Sequence, residues 1–420
     1  MELPKVALVE QYFDPQRIDD IPAKVSKEMA GLCLQKKIKQ GDIVAITGGS
    51  RGISNIHIIT KVVVAELKKL GAQPFIFPSM GSHGGATKEG QIKVLEKYGI
   101  TESSIGCPIR STMEVAYLGD AADGYPINID KYAMEADHIV LINRIKPHTK
   151  FKGPIESGLM KMMAIGMGKQ KGAEYYHKAA VRLTFQKIIE TVGLEVIRRC
   201  PILFGLGIVE NGYDQTCMIK AMSPHEIPEA EKALLVIAKE RMARLPFDQI
   251  DVLVIDQIGK DISGTGMDIN VTGRNRDILG DFTINPRIKR IFVRDLTNES
   301  EGNALGIGFA DFTSTRVVQK MDLKKTYINC LTALSPEKGA IPIYFDTDRD
   351  ALEACLMTIG DISANKVRLV HIKSTLHLSK LLVSQAFEKE INEHLDLKRV
   401  DEWKEMALDT DGNIISPFMK

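Results

Sequence analysis

Two β-rich runs early in the chain each break into a glycine loop that leads straight into a helix. Asp42-Ile43-Val44-Ala45-Ile46-Thr47 ends in Gly48-Gly49-Ser50-Arg51-Gly52, and residues 56–70 then carry apolar side chains at helical spacing up to Gly71. The run 73–78 opens into Met80-Gly81-Ser82-His83-Gly84-Gly85, followed by a helix over about 87–98 that closes at Gly99. A third buried run, His138-Ile139-Val140-Leu141-Ile142, leads into Arg144-Ile145-Lys146-Pro147-His148-Thr149. This β-loop-α order predicts an α/β fold, a mainly parallel sheet flanked by helices. Ligands of such sheets sit at the carboxyl ends of the strands, where these three loops fall.

At 420 residues the chain exceeds one ordinary core. Two domains are expected, each with a mainly parallel sheet flanked by helices, and with the active site in the interdomain cleft. Helical regions over 175–199 and 228–244 precede Leu245-Pro246-Phe247-Asp248 and a new strand over 252–256. The expected division is therefore a cofactor-binding, catalytic domain 1–245 and a second α/β domain 246–420. Strands over 290–293 and 367–371 and helices over 317–331 and 350–358 belong to the second, and the polar tail 402–420 is free to fold back on the first.

A formal net charge of +1 removes any electrostatic reason to expect nucleic acid or a membrane surface as partner. No apolar stretch approaches the ~20 residues of a membrane-spanning helix. The opening Met1-Glu2-Leu3-Pro4-Lys5 lacks the pattern of a secretory signal. The six cysteines, Cys33, Cys107, Cys200, Cys217, Cys330 and Cys355, show no paired spacing, as in a reduced cytoplasmic protein.

The turn after the first strand has the look of a dinucleotide loop, since its glycines let backbone amides approach a phosphate at a helix start. The last glycine of the short-chain dehydrogenase motif is replaced by Ser54, and Tyr175 and Lys178 stand one residue too close for that family's pair. A nicotinamide-dependent oxidoreductase is thus an alternative, and the anion-cradle role of Gly48, Gly49 and Ser50 survives it.

Six basic residues lie in or beside loops and helix starts: Arg51, His83, His148, Lys161, His177 and Lys260. His83 and His148 follow buried strands at the ligand-binding edge of a sheet. Lys161 sits among Leu159, Met160, Met162, Met163, Ile165 and Met167, an apolar setting in which a lysine needs a reason. His177 stands at the start of a helix. Lys260 follows a strand in Gly259-Lys260-Asp261-Ile262.

Taken in order, these residues resemble the nickel-dependent lactate racemases, which use a tethered nickel-pincer nucleotide. The likeness extends over most of the chain. It rests on Arg51 in the first loop, Gly81-Ser82-His83 with Thr87-Lys88-Glu89, Pro147-His148, Lys161 with His177 at the family's spacing, and Lys260-Asp261-Ile262. It implies that Lys161 carries the cofactor as a thioamide and that His177 binds nickel. It further implies that Arg51 and Lys260 contact substrate and that His83 and His148 manage protons. The first loop and the residues before Lys161 depart from the family's usual pattern, which bears on pocket shape and substrate.

The chemistry so implied is racemisation or epimerisation of a 2-hydroxy acid by reversible hydride transfer. Loss of hydride from C2 avoids a carbanion, while a histidine takes the hydroxyl proton. The planar keto acid then receives hydride on either face, so a racemase needs two bases, and imidazoles suit both duties. An arginine fork matches the carboxylate, and a neutral imidazole suits nickel. Expected partners are the small 2-hydroxy acid and the enzymes that make and load the cofactor. A nucleotide- or metal-binding protein of the same fold without turnover is the remaining alternative.

Overall fold

A computed structural model of the chain describes residues 2–121, 124–180, 182–276 and 284–419. It contains two compact units, one being Pro15–Met242 and the other Met1–Asp14 together with Ala243–Lys420.

In the unit Pro15–Met242, five strands stand in the order Gln73–Pro78, Ile43–Gly48, His138–Arg144, Ile202–Glu210, Thr216–Met222. The first four are parallel and the last is antiparallel to its neighbour. Ala45, Phe75, Ile139 and Leu141 enter a core with Val192 and Val196 of helix Phe185–Arg199 and Leu234 of helix Ile227–Arg241. The alternate residues Val44, Ile46, Ile76, Val140 and Ile142 enter a second core with Val25 of helix Ile21–Ala30 and Ile59 and Val63 of helix Ile56–Lys69. Burial on both faces is why these strands read as continuous apolar runs rather than alternating ones. An antiparallel pair, Val115–Asp120 with Pro126–Asp130, is added without any clear signal in the sequence.

The helical region expected over 175–199 is two helices, Lys169–Ala179 and Phe185–Arg199. The Thr184 hydroxyl accepts from Lys187 N and starts the second one afresh. The region 317–331 divides in the same way into Thr315–Lys320 and Leu323–Thr332, with Asp322 capping the latter.

The other unit holds an eight-stranded sheet in the order Ile343–Phe345, Phe312–Ser314, Arg287–Leu296, Gln249–Ile258, Leu369–Ile372, Lys380–Ser384, Val6–Gln11, Leu397–Arg399. The first five are parallel and the rest antiparallel. Val252, Val254, Phe292 and Leu369 pack with Leu352 and Cys355 of helix Asp348–Met357. Residues 1–14 go with this unit because Val6–Gln11 completes its sheet. The tail goes with it too: Lys404 N donates to Val6 O at 3.0 Å, and the buried Arg294 donates to Ile414 O at 2.6 Å. Among the described residues, no helix is long and apolar enough to cross a membrane.

Candidate active site

Strand Ile43–Gly48 is flanked by Gln73–Pro78 on one side and His138–Arg144 on the other, so the chain changes direction across it. The loops after Ile43–Gly48 and His138–Arg144 therefore leave the sheet beside a switch point, the usual place for a ligand in an open α/β sheet. Between them stands the segment that carries Lys161: a Cβ added at Gly49 would lie 3.5 Å from Met162 Cε.

The first loop meets the His83 loop. Ser50 Oγ lies 3.2 Å from His83 Nδ1, and Arg51 Nη2 lies 3.5 Å from His83 Nε2. His83 Nδ1 is also 2.8 Å from Met80 O. A carbonyl can only accept, so the proton of the neutral ring sits on Nδ1 and the lone pair is on Nε2, the arrangement a general base needs.

His148 has the opposite arrangement. Its Nδ1 accepts from Lys150 N at 3.0 Å, so a neutral ring carries its proton on Nε2. The loop around it is organised by Glu156, a fully buried carboxylate that accepts from His148 N at 2.8 Å and Gly153 N at 3.2 Å and pairs with Lys239 at 2.6 Å. The His148 ring packs 4.4 Å from Phe151, which stacks on Phe185 at 5.4 Å. Lys161 Nζ lies over the same Phe151 ring at 5.8 Å.

Lys161 ends a single helical turn, Gly158–Lys161, and a π turn, Met162–Gly166, follows. Met167 N donates to Met162 O at 2.9 Å, five residues back. Such π turns are frequent at functional sites. Burial, then the nearby Arg51 charge, bring the Lys161 ammonium down to about 7, against a smaller upward pull from Glu156. At neutral pH this amine is half unprotonated, which makes it a nucleophile.

Under the turn lies Glu231, fully buried, whose Oε2 accepts from Leu159 N at 2.8 Å and Met160 N at 3.1 Å. Its Oε1 has no hydrogen-bond partner. Gly158 has φ +75°, and a Cβ there would stand 2.4 Å from Glu231 Oε1, so only glycine fits. Burial pushes the Glu231 carboxyl up to about 8, opposed by the two backbone donors.

Because the folded protein holds this proton where the unfolded chain releases it, Glu231 favours folding below the ordinary carboxylate range. That contribution is lost as pH rises from about 4.5 to about 8. The loss is of the order of several kcal/mol at about 1.4 kcal/mol per unit. Denaturation midpoints should therefore fall over this window, and Glu231→Gln should flatten the fall. Parallel slopes in the two proteins would show the carboxyl to be ionised throughout. Lys161 acts in the opposite sense, adding stability above about 7.

Residues 18–186 match the family model of the lactate racemase N-terminal domain. These residues are similar to the lactate racemase N-terminal domain. Gly48, Gly49, Ser50, Arg51, His83, His148, Lys161 and His177 all fall within its span, and Lys260 falls outside. A crystal structure of a Thermotoga maritima protein is similar at 14% identity and a TM-score of 0.53, covering 86% of this chain and 99% of that one, which is a likeness of fold. The lactate racemase apoprotein from Thermoanaerobacterium thermosaccharolyticum aligns at 12% identity and a TM-score of 0.49, over 89% of each chain. No curated protein sequence matches.

Within the matched residues the structure thus brings together the loop Gly49–Arg51, His83, His148 and Lys161. His177 lies in the last turn of helix Lys169–Ala179 rather than at a helix start, because that helix begins earlier than the sequence suggested. Its side chain is outside the described residues. Lys260 follows strand Gln249–Ile258 in the other unit, where its ammonium donates to Gly264 O at 2.7 Å and Asn329 Oδ1 at 3.1 Å.

Three carboxylates that shape this site were not singled out from the sequence. Glu210 pairs with Arg144 and accepts from Ser54 N at 2.6 Å, tying the first loop to the end of His138–Arg144. Glu156 lies in a loop whose sequence carries no mark of burial. Glu231 does carry one, since it falls on the buried stripe of its helix with Ile227, Leu234, Leu235 and Ala238.

Proposed function

We propose that the chain is a racemase or epimerase of a 2-hydroxy acid. The observation that carries this reading is a depressed lysine amine directly before a π turn, set against a base-ready histidine loop, within residues similar to the lactate racemase N-terminal domain. On this reading Arg51 and Lys260 receive the substrate, with the guanidinium of Arg51 taking the carboxylate. His83 Nε2 takes the hydroxyl proton of one enantiomer, and His148 serves the other.

A nickel-pincer nucleotide is the cofactor we assign. An amine near neutrality among buried methionines is what covalent capture of an acyl group requires, and Lys161 meets that need. His177 would bind the nickel, and Gly48, Gly49 and Ser50 would face the nucleotide phosphate. Among the described residues no group of three or more His, Cys, Asp or Glu is placed to hold a metal. When bound, the group supplies an electrophilic carbon that takes the C2 hydrogen with its electron pair and returns it. Loading would need the enzymes that make the nucleotide. Cytoplasmic residence fits six cysteines that are all unpaired.

Isotope labelling tests the reading. A panel of 2-hydroxy acids deuterated at C2 is incubated in ordinary water with protein co-produced with nickel and the loading enzymes. The inverted product should largely keep its deuterium. Extensive exchange with solvent at each turnover would replace this mechanism with proton abstraction from carbon. A redox change dependent on added NAD(P) would favour an oxidoreductase.

A further inference from the structure

Beneath the His83 loop lies a lysine that the proposed chemistry does not use. Lys169 is fully buried and adopts a left-handed backbone, with φ +54°. The Lys169 ammonium donates to Gln91 Oε1 at 3.1 Å and to Pro78 O, and it forms an ion pair with Asp130 Oδ2 at 2.9 Å.

Gln91 is itself fully buried. With Oε1 turned to a group that only donates, its Nε2 must face the other way. There it donates to Gly81 O at 2.9 Å and to His83 O at 3.3 Å. The same loop rests on the Lys161 segment, since Gly81 N donates to Gly166 O at 3.1 Å. Asp130 N completes the arrangement by donating to Met167 O at 2.8 Å. Pro78, Gln91, Asp130 and Lys169 come from four separate elements, and they converge on the joint between the His83 loop and the π turn.

We propose that Lys169 and Gln91 are positioning residues that together fix where His83 stands relative to the turn carrying Lys161. This rests on the reading of His83 and Lys161 given above. Burying a lysine and an aspartate together is costly, and apolar residues of similar volume commonly hold a fold as well or better. Burial pushes the Asp130 carboxyl up and the Lys169 ammonium down, each partly offset by the other's charge. What an apolar pair could not do is orient the Gln91 amide. The ion pair sets the amide, and the amide sets the two carbonyls of the His83 loop.

Two variants separate positioning from filling. Gln91→Glu keeps volume and an acceptor for Lys169, and as a carboxylate it has no donor for Gly81 O or His83 O. Lys169→Met combined with Asp130→Asn removes both charges and strands neither. The readouts use the full-length protein without cofactor or substrate: nitrogen-15 histidine spectra, with His83 assigned through His83→Asn, and hydrogen exchange of the peptide spanning 79–87.

The unaltered protein should show His83 protonated on Nδ1. Both variants should melt cooperatively, yet populate both His83 tautomers and exchange the 79–87 amides about 10-fold faster or more. If the double variant fails to fold, Gln91→Glu decides alone. An unchanged His83 tautomer and exchange rate in Gln91→Glu would overturn the proposal and leave these residues as core. Because no turnover is measured, a chain that proved inactive on every hydroxy acid would refute the function and leave this result standing.

Discussion

Protein produced alongside nickel and the enzymes of the pincer nucleotide is expected to carry one large covalent adduct, and on the Lys161 peptide alone. An ordinary lysine near 10.5 is almost wholly protonated at pH 7, whereas the Lys161 amine, brought down to about 7, is half free. That difference is roughly 1,600-fold in the reactive form. The cause lies in the fold: apolar burial in the turn at Lys161 penalises the charge, and Arg51 repels it. The apoprotein should show the same bias, with a limiting dose of an amine-acylating reagent at pH 7 marking Lys161 before the other lysines. Intact mass and peptide mapping read both experiments. Lys161→Ala should lose the adduct completely while still folding. An adduct of the same mass in that variant would move the attachment point elsewhere.

Loss of either imidazole should slow interconversion of the enantiomers by about 10²-fold or more, in both directions. The two rings are prepared differently. His83 gives its Nδ1 proton to Met80 O and presents the Nε2 lone pair; His148 accepts Lys150 N–H at Nδ1 and presents Nε2–H. One ring is ready to take a proton and the other to give one, so a resting site with both rings neutral is already set for one direction. On the proposed reading neither enantiomer is converted through a single ring, and detailed balance then lowers both rates together. His83→Asn is the apt variant because its amide can still donate towards Met80 O, and His148→Gln is its counterpart. Chiral chromatography of time courses from each pure enantiomer measures the effect. Retention of more than about a tenth of the rate in either variant would remove that histidine from the chemistry.

The loops were legible because strand and glycine punctuation are local signals, and a parallel sheet turns such loops to one edge. Gly48 to Arg51, His83 and His148 could be read that way. Lys161 was legible for a different reason, as a charge inside an apolar run. Glu231 obeys the same rule on its own helix, and a stricter count of the buried stripe would have found it. Lys169, Gln91 and Glu156 have no such mark: their burial arises from segments far off in sequence, and no local pattern shows it. The break between Ala179 and Phe185 was hidden because helical spacing continues on both sides, while Thr184, the cap that starts a new helix, is a single residue. The lodging of Val6–Gln11 in a sheet built mostly after residue 248 is of the same long-range kind.

That last feature sets an order of events during synthesis. Strand Val6–Gln11 leaves the ribosome roughly 370 residues before its partner Lys380–Ser384. At 5–20 residues per second this is a wait of about 20–75 seconds. The unit Pro15–Met242 is compact and complete in sequence long before then; if it closes meanwhile, the nascent protein holds a finished body with a dangling apolar strand ahead of it. An unpaired Val-Ala-Leu-Val run is a template for wrong pairing with its own copies on neighbouring ribosomes. Slowing translation should therefore lower the soluble yield, and moving residues 1–14 behind residue 420 by circular permutation should restore it.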